Sequence, residues 1–474
     1  MDARELCFMP ATVLAGKIGN KALSPVEVMQ AVLDRVQASQ PHLNAFITVC
    51  AERAMAEARA AEARVMAGGA LPPLLGVPFS AKDLLNSGGV ATTFGSKVLA
   101  DNVPAEDGLA IARMRAAGAI LIGKTTTPEF GHKPLTEAPL FGRTCNAWHS
   151  GRTSGGSSGG AAVAAAAGLG PLALGTDGGG STRIPAACNG VVGVKATLGV
   201  VPHDQAADAF ANLAYIGPIS RTVADAAAAM TALAGPDPVD PYSQSLPAFD
   251  FGAPALAPAG LRIGLFERLG NEAVDPQVLA SLADSAAALE ELGAIVEPVD
   301  EAFENTEPHW LVITHSIWAS RFRAMIAEHG AIMDPTLLVQ TAMGDAHSAV
   351  ALQDAARART ALFRQVQGWF TRFDAVLMPT LSRAAVPIDQ DALGQLEIGG
   401  RPVGSLRGAW YPYTHPFNMT GHPAVTLPSG FDADGLPLAV QLVGPWHADD
   451  RLLRLAAALE QARPWAQHRP DDRW

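Results

Sequence analysis

Cysteine and basic residues are both scarce in this 474-residue chain, and each scarcity excludes a class of function. The four cysteines lack the spacing of a disulfide framework or a zinc site, which is typical of free thiols in a reducing compartment. Lys and Arg number 34 against 46 Asp and Glu, giving a formal charge of −12, and no basic run offers a patch for nucleic acid. The histidines are also spread without ligand spacing. We therefore expect neither a nucleic-acid partner nor a metal centre.

Long apolar segments are missing too. The longest, AAVAAAAGLGPLALG, is broken by Gly and Pro, which is typical of a buried helix and strand rather than a membrane span. The N-terminus shows no basic stretch followed by an apolar one, as a secretory signal would. With 49% apolar and 17% charged residues, the composition is that of a compact globular protein, which we expect to be cytoplasmic and independent of the membrane.

Short apolar runs alternate with helical patterns, which predicts an α/β layer structure with a buried sheet. The runs GVPFSAKD and AILIGK flank a helix predicted from Leu109 to Ala117. Ser24 as N-cap, followed by Pro25, predicts a helix that continues to about Ala38. Near the end of the chain, Asp434-Gly435 predicts the turn of a hairpin. No repeat or linker divides the chain.

Three fragments combine serine with glycine or lysine: VPFSAKD (77–83), TSGGSSGG (153–160) and LGTDGGGSTRIPAACNGVVGVK (174–195). A nucleophilic hydroxyl needs a general base and an oxyanion hole, and a glycine run can direct several backbone N–H groups at one point. Gly178, Gly179 and Gly180 directly precede Ser181, so these four amides are candidates for an oxyanion hole.

Histidine, the usual base, does not occur between Gly151 and Gly199. The nearest upstream candidate is Lys82, because an apolar setting such as LLGVPFSAKDLL lowers the pKa of lysine toward neutrality. Ser157 can pass a proton between Lys82 and Ser181, since a hydroxyl both donates and accepts. Taken alone, GGSSGG is typical of a turn or linker and a lone lysine of a solvated surface.

Together the fragments resemble the amidase signature family. The resemblance implies a Ser–cis-Ser–Lys triad, with Ser181 as the acyl-forming nucleophile, Ser157 on a cis peptide and Lys82 as the base. It also implies that Asp177 and Arg183 are structural. The implied reaction is hydrolysis of linear amide C–N bonds through an acyl-enzyme, with no cofactor.

The same resemblance implies a fold. We expect one α/β domain over residues 1–474, with a mixed, mostly buried, twisted β-sheet surrounded by α-helices and a signature core at about 71–202. Monomer and homodimer both fit this organisation.

Aromatic residues make up only 6% of the chain, and several concentrate around Trp310 and Trp318 and in the loop that contains Trp410 and Tyr411. They are candidates for an apolar acyl or aryl pocket, with core packing as the alternative. The resemblance adds Gly131 as a pocket-lining position. We expect a small-molecule substrate, a small apolar or aryl amide, with carbamates and esters as further candidates.

Other interpretations fit part of the sequence. Gly155-Gly156-Ser157-Ser158-Gly159 matches G-x-S-x-G, which would make Ser157 the nucleophile of a Ser-His-Asp α/β-hydrolase. A glutaminase-type subunit of a tRNA-dependent amidotransferase would share the triad, but KATLGVVPHD lacks the arginine-rich pattern associated with such proteins. An inactive binding protein on the same fold is a third possibility, against which the intact triad positions argue.

Overall fold

The computed structural model describes residues 2–472, and an eleven-stranded mixed sheet forms its core. In chain order the strands are β1 (Phe46–Val49), β2 (Pro78–Lys82), β3 (Ile120–Thr125), β4 (Glu137–Ala138), β5 (Gly142–Arg143), β6 (Leu172–Asp177), β7 (Val192–Lys195), β8 (Tyr215–Ser220), β9 (Arg262–Leu265), β10 (Ile295–Pro298), β11 (Ala375–Pro379), β12 (Gln395–Ile398), β13 (Arg401–Ser405), β14 (Ala424–Phe431) and β15 (Pro437–Val443).

The strands of the large sheet lie in the order β1-β3-β2-β6-β8-β7-β14-β15-β11-β9-β10. Strand β2 is parallel to β3 and β6, and β9 is parallel to β10 and β11. The other neighbouring strands are antiparallel. The pairs β4–β5 and β12–β13 form small separate sheets. The predicted single α/β domain with a mixed sheet is therefore confirmed.

Helices cover this sheet. In chain order they are α1 (Ala3–Cys7), α2 (Ala11–Gly19), α3 (Pro25–Leu43), α4 (Ala51–Ala67), α5 (Leu109–Ala116), α6 (Gly159–Ala166), α7 (Arg183–Asn189), α8 (Val223–Leu233), α9 (Pro276–Glu291), α10 (Glu307–His329), α11 (Pro335–Asp345), α12 (Ala349–Trp369), α13 (Leu406–Trp410), α14 (His415–Thr420) and α15 (Asp449–Ala462).

The predicted start of α3 is confirmed, and its predicted end is too early. Ser24 Oγ accepts hydrogen bonds from the first-turn amides, as the N-cap pattern predicts. The helix continues past Ala38 to Leu43, because Val36 and Leu43 are both buried on the same helical face. Asn44, in the left-handed conformation with φ of 50°, then ends it.

Alternate side chains of each strand enter different parts of the core. In β11, Ala375 and Leu377 pack in the cluster that contains α5, α8 and α15, whereas Val376 and Met378 pack in the cluster with α10, α12 and α14. In β3, Leu121 joins the first cluster, while its neighbours pack with α3, α4 and α6. Both faces of the sheet are therefore covered, as its apolar strand sequences require.

We expect the close approach of β8 to β7 to tolerate no side chain at Gly217. A Cβ there would lie 1.9 Å from the carbonyl oxygen of Val194, so Gly217→Ala forces two strands apart and should lower the free energy of unfolding by about 3 kcal/mol. Gly16→Ala is the matched control, because Gly16 is exposed in α2 with open space around it. That substitution should be stabilising by up to about 1 kcal/mol. Urea denaturation of both variants tests this, and equal stability would contradict it.

Candidate active site

The site lies where two parallel strands end. Lys82 is the last residue of β2 and Asp177 the last of β6, and β2 and β6 are parallel neighbours. The carboxyl ends of parallel strands open at the same edge of a sheet, which is where α/β proteins build their ligand sites. This pairing brings the VPFSAKD and GTDGGGS fragments together.

Lys82 is fully buried among hydroxyl groups. Its Nζ donates to Ser157 Oγ at 2.7 Å and to Ser158 Oγ and Thr176 Oγ1 at 2.9 Å each. Burial lowers the pKa of Lys82 well below its usual range, and the charge of Asp177 opposes this only in part. The amine is therefore suited to act as a base. Sequence reasoning missed Ser158 and Thr176, although both lie inside the Gly/Ser fragments.

Ser157 lies between Lys82 and the cavity described below. Its peptide bond with Gly156 is cis, and the side chain is 2% exposed. Gly131 approaches it closely: a Cβ on Gly131 would lie 3.2 Å from Ser157 Oγ and 2.9 Å from Leu84 Cδ1. With φ of +73°, Gly131 also has a conformation that favours glycine.

Ser181 lies in the turn between β6 and α7, partly exposed and facing the cavity. Within residues 2–472, no hydrogen bond engages the amides of Gly178, Gly179 or Ser181. The amide of Gly180 differs from the prediction, because it donates to Asp177 Oδ1 at 2.6 Å. The carboxylate thus uses one of the four predicted oxyanion donors to shape the turn.

A buried ion pair spans this turn. Arg183 Nε and Nη2 donate to the two carboxylate oxygens of Asp177 at 2.9 and 3.0 Å, and neither side chain is exposed. Arg183 also donates to Asn418 and to Gln441, each at 2.7 Å. These contacts confirm the structural role predicted for Asp177 and Arg183.

A cavity of about 260 Å³ opens over Ser181. Among the residues predicted to bind substrate, Gly131, Trp318 and Tyr411 line it. Trp410 does not: it is fully buried, and its Nε1 donates to the carbonyl of Arg383 at 3.2 Å. The lining is otherwise largely apolar and includes Leu84, Phe94, Phe130, Ile184 and Ile317.

Trp310, which the sequence analysis named with Trp318 as a candidate pocket residue, also lines this cavity. Its Nε1 donates to the carbonyl of Gly178 at 3.0 Å, and a Cβ on Gly179 would lie 2.6 Å from its ring. The indole therefore packs directly on the turn that carries Ser181.

The Ser-His-Asp alternative does not match this geometry. Ser157 Oγ bonds to a lysine, and the cavity residue His132 uses its ring nitrogens on the carbonyl of Glu129 at 2.8 Å and on Thr336 Oγ1 at 2.6 Å. Over residues 2–472, no group of three His, Cys, Asp or Glu side chains is arranged to hold a metal ion. No helix in that range is long and apolar enough to cross a membrane.

Comparison with known proteins decides the family. The family model described as Amidase matches residues 27–453. The chain belongs to the amidase family. An acylamidase of Rhodococcus erythropolis is 39% identical, with 100% of this chain and 99% of the relative aligned. A glutamyl-tRNA(Gln) amidotransferase subunit from Acidothermus cellulolyticus is 36% identical, with 97% and 95% aligned.

Two solved structures resemble the chain closely. A bacterial aryl acylamidase of the amidase signature family superposes with a TM-score of 0.90 at 32% identity, covering 97% of each chain. A 6-aminohexanoate cyclic dimer hydrolase superposes with a TM-score of 0.87 at 31% identity, covering 98% of this chain and 99% of that one. This amidase is a hydrolase that acts on amide C–N bonds, which favours the main prediction over its alternatives.

The Asp177–Arg183 pair should make the free energy of unfolding depend on pH in the acid range. Burial alone would raise the pKa of Asp177, but the charge and hydrogen bonds of Arg183 and a hydrogen bond from Asn418 hold it well below its usual range. Its contribution is therefore complete at neutral pH and is lost as pH falls below the unfolded value of about 3.9. We expect Asp177→Asn to lower the free energy of unfolding by about 3 kcal/mol at pH 7.

The difference in unfolding free energy between the wild type and Asp177→Asn should shrink as the pH falls from 5 to 3. Urea denaturation at a series of pH values measures it. The control is Asp345→Asn, which breaks an exposed ion pair with Arg323 and should cost less than about 1 kcal/mol. A deficit for Asp177→Asn that stayed constant with pH would contradict the prediction.

Proposed function

We propose that this amidase cleaves its substrates through an acyl-enzyme on Ser181, with Lys82 as the base and Ser157 as the proton relay. The observation that carries the proposal is the buried Lys82 Nζ, 2.7 Å from Ser157 Oγ, at the edge of the cavity that Ser181 faces. A lysine whose ammonium form is disfavoured by burial has a lowered pKa, so more of it is neutral and able to accept a proton.

In the proposed reaction, neutral Lys82 takes a proton through Ser157 as Ser181 Oγ attacks the amide carbonyl. The free amides of Gly178, Gly179 and Ser181 stabilise the oxyanion. The proton then returns through Ser157 to the leaving nitrogen, because an amide anion is too basic to depart unaided. Water resolves the acyl ester by the same route. Gly180 is excluded from the oxyanion donors in this proposal, since its amide already bonds to Asp177.

We also propose that the substrates are small amides with apolar or aryl groups. The apolar lining of the cavity supports this, with Gly131, Trp318 and Tyr411 as wall residues that contact the substrate. The relatives named acylamidase and aryl acylamidase are consistent with it. Activity on carbamates and esters stays a prediction.

The predicted cytoplasmic location has one further support: Cys7, Cys50, Cys145 and Cys188 are all free, which is typical of proteins of reducing compartments. The monomeric or homodimeric state stays a prediction.

Ser181→Ala should abolish turnover with little change in stability, because it removes only one hydroxyl from a side chain that is partly exposed. A fluorophosphonate should label the wild-type protein, and mass spectrometry should place the adduct on the peptide that contains Ser181. Ser157→Ala, the control, should still take the label at that peptide, but more slowly. An adduct on Ser157 would instead support the G-x-S-x-G interpretation.

The pH profile should report Lys82. We expect kcat/KM to rise with pH as Lys82 loses its proton. Thr176 Oγ1 accepts a hydrogen bond from Nζ, which favours the protonated amine, so Thr176→Val should move the midpoint of the rise to lower pH by about half a unit to one unit.

The control Thr176→Ser keeps a hydroxyl at this position and should keep the midpoint. Lys82 would lose its assignment as base if the midpoint did not move in Thr176→Val, or if His132→Asn abolished the rise.

A further inference from the structure

We propose that the cavity selects amides that also carry a carboxylate group, and that Arg407 binds this group. The inference rests on the proposed function, because it concerns the cavity that Ser181 faces. It narrows the substrate class from apolar or aryl amides to those in which an apolar body bears one anionic group.

The cavity differs in charge from the rest of the protein. The chain has a formal charge of −12, yet of the described residues that line the cavity, three are Lys or Arg and one is Asp or Glu. The acid is Asp208, whose Oδ1 accepts from the amides of Phe210 and Ala211 at 2.9 and 3.1 Å. A cavity with more basic than acidic side chains in its lining attracts anions.

The three basic residues are not equivalent. Lys133 is neutralised, with Nζ 2.8 Å from Asp334 and 3.0 Å from Glu137. Arg321 and Arg407, by contrast, have no hydrogen-bond acceptor or ion-pair partner among residues 2–472. Each guanidinium presents five N–H donors, in the planar arrangement that matches a carboxylate.

Arg407 is held in place close to the reacting centre. Its guanidinium carbon lies 4.9 Å from the centre of the Trp310 ring, which itself packs on Gly179 and bonds to Gly178. Stacking on an indole restrains the guanidinium and leaves its N–H edges free. A carboxylate bound to Arg407 would therefore occupy the same cavity as the amide carbonyl that Ser181 attacks.

Arg321 is too distant for the same role. It lies on α10 with Trp310, Thr314 and Ile317, which face the cavity along one side of the helix. Eleven residues separate it from Trp310, about 16 Å along the axis at the rise of an α-helix. We assign Arg321 to the outer end of the cavity, where its charge adds to the attraction.

Glu307 is an acidic residue that interacts electrostatically with Arg407. The two side chains do not form an ion pair within 4.0 Å. Burial raises the pKa of Glu307, and the charge of Arg407 opposes that rise. The guanidinium therefore keeps its donors available for a ligand.

The test compares two matched pairs of anilides. Succinanilate and butyranilide differ by a carboxylate on the acyl side, and 4-acetamidobenzoate and 4-methylacetanilide differ by one on the amine side. Arylamine release gives kcat/KM for the wild type, Arg407→Gln, Arg407→Lys and the control Arg357→Gln, whose arginine is 78% exposed on α12.

We expect the wild type to prefer the carboxylate member of at least one pair by tenfold or more. Arg407→Gln should remove this preference by lowering kcat/KM at least tenfold more for the charged member than for the neutral one, and urea denaturation checks that the variant is folded. Arg407→Lys should restore part of the preference, and Arg357→Gln should keep all of it.

A wild type that prefers the carboxylate member of neither pair overturns the inference. So does an equal loss of kcat/KM for the charged and neutral members in Arg407→Gln, because Arg407 would then act only by holding Trp310 in place. Calorimetry with Ser181→Ala protein separates this from the mechanism. If the carboxylate member of at least one pair binds at least tenfold more tightly than its neutral partner and Arg407→Gln removes the difference, the inference holds even where no anilide is cleaved. Equal binding within both pairs overturns it.

Discussion

The turn that carries Ser181 depends on one buried carboxylate–guanidinium pair. Asp177 ends β6 and Arg183 begins α7, so their ion pair closes the loop between them. The same carboxylate fixes the amides of Gly180 and Thr182, and the guanidinium reaches Asn418 and Gln441 in the last part of the chain. Removing water from this pair is costly, and the many hydrogen bonds around it offset that cost.

The nearby Lys82 has partners of a different kind. Among residues 2–472 no carboxylate contacts Lys82, and Nζ donates to the hydroxyls of Ser157, Ser158 and Thr176. A carboxylate at hydrogen-bond distance would stabilise the ammonium ion strongly through its charge, whereas an uncharged hydroxyl stabilises it only weakly. One charge of the site is thus permanently paired, and the other is left free to titrate.

Local signals in the sequence predicted much of this arrangement. Capping residues located α3, the hairpin turn located β14 and β15, and the Gly/Ser fragments indicated Lys82, Ser157 and Ser181. The sequence did not show that Gly180 donates to Asp177 or that Trp410 points away from the cavity. Both depend on which way a short segment turns after long-range packing, and neither follows from residue type or spacing.

Ser181 and the cavity wall come from different parts of the chain. The turn at 178–181 directly follows β6, a strand of the large sheet. Trp310, Trp318 and Arg407 instead belong to the helices α10 and α13, and they line the cavity next to this turn. Substitutions on those helices can change the shape and charge of the cavity while the hydrogen bonds of Lys82 and Asp177 stay intact. The fold can therefore acquire new substrates through substitutions on its covering helices. One position limits this: residue 179 must stay glycine while Trp310 is present, because a Cβ there would lie 2.6 Å from the indole ring.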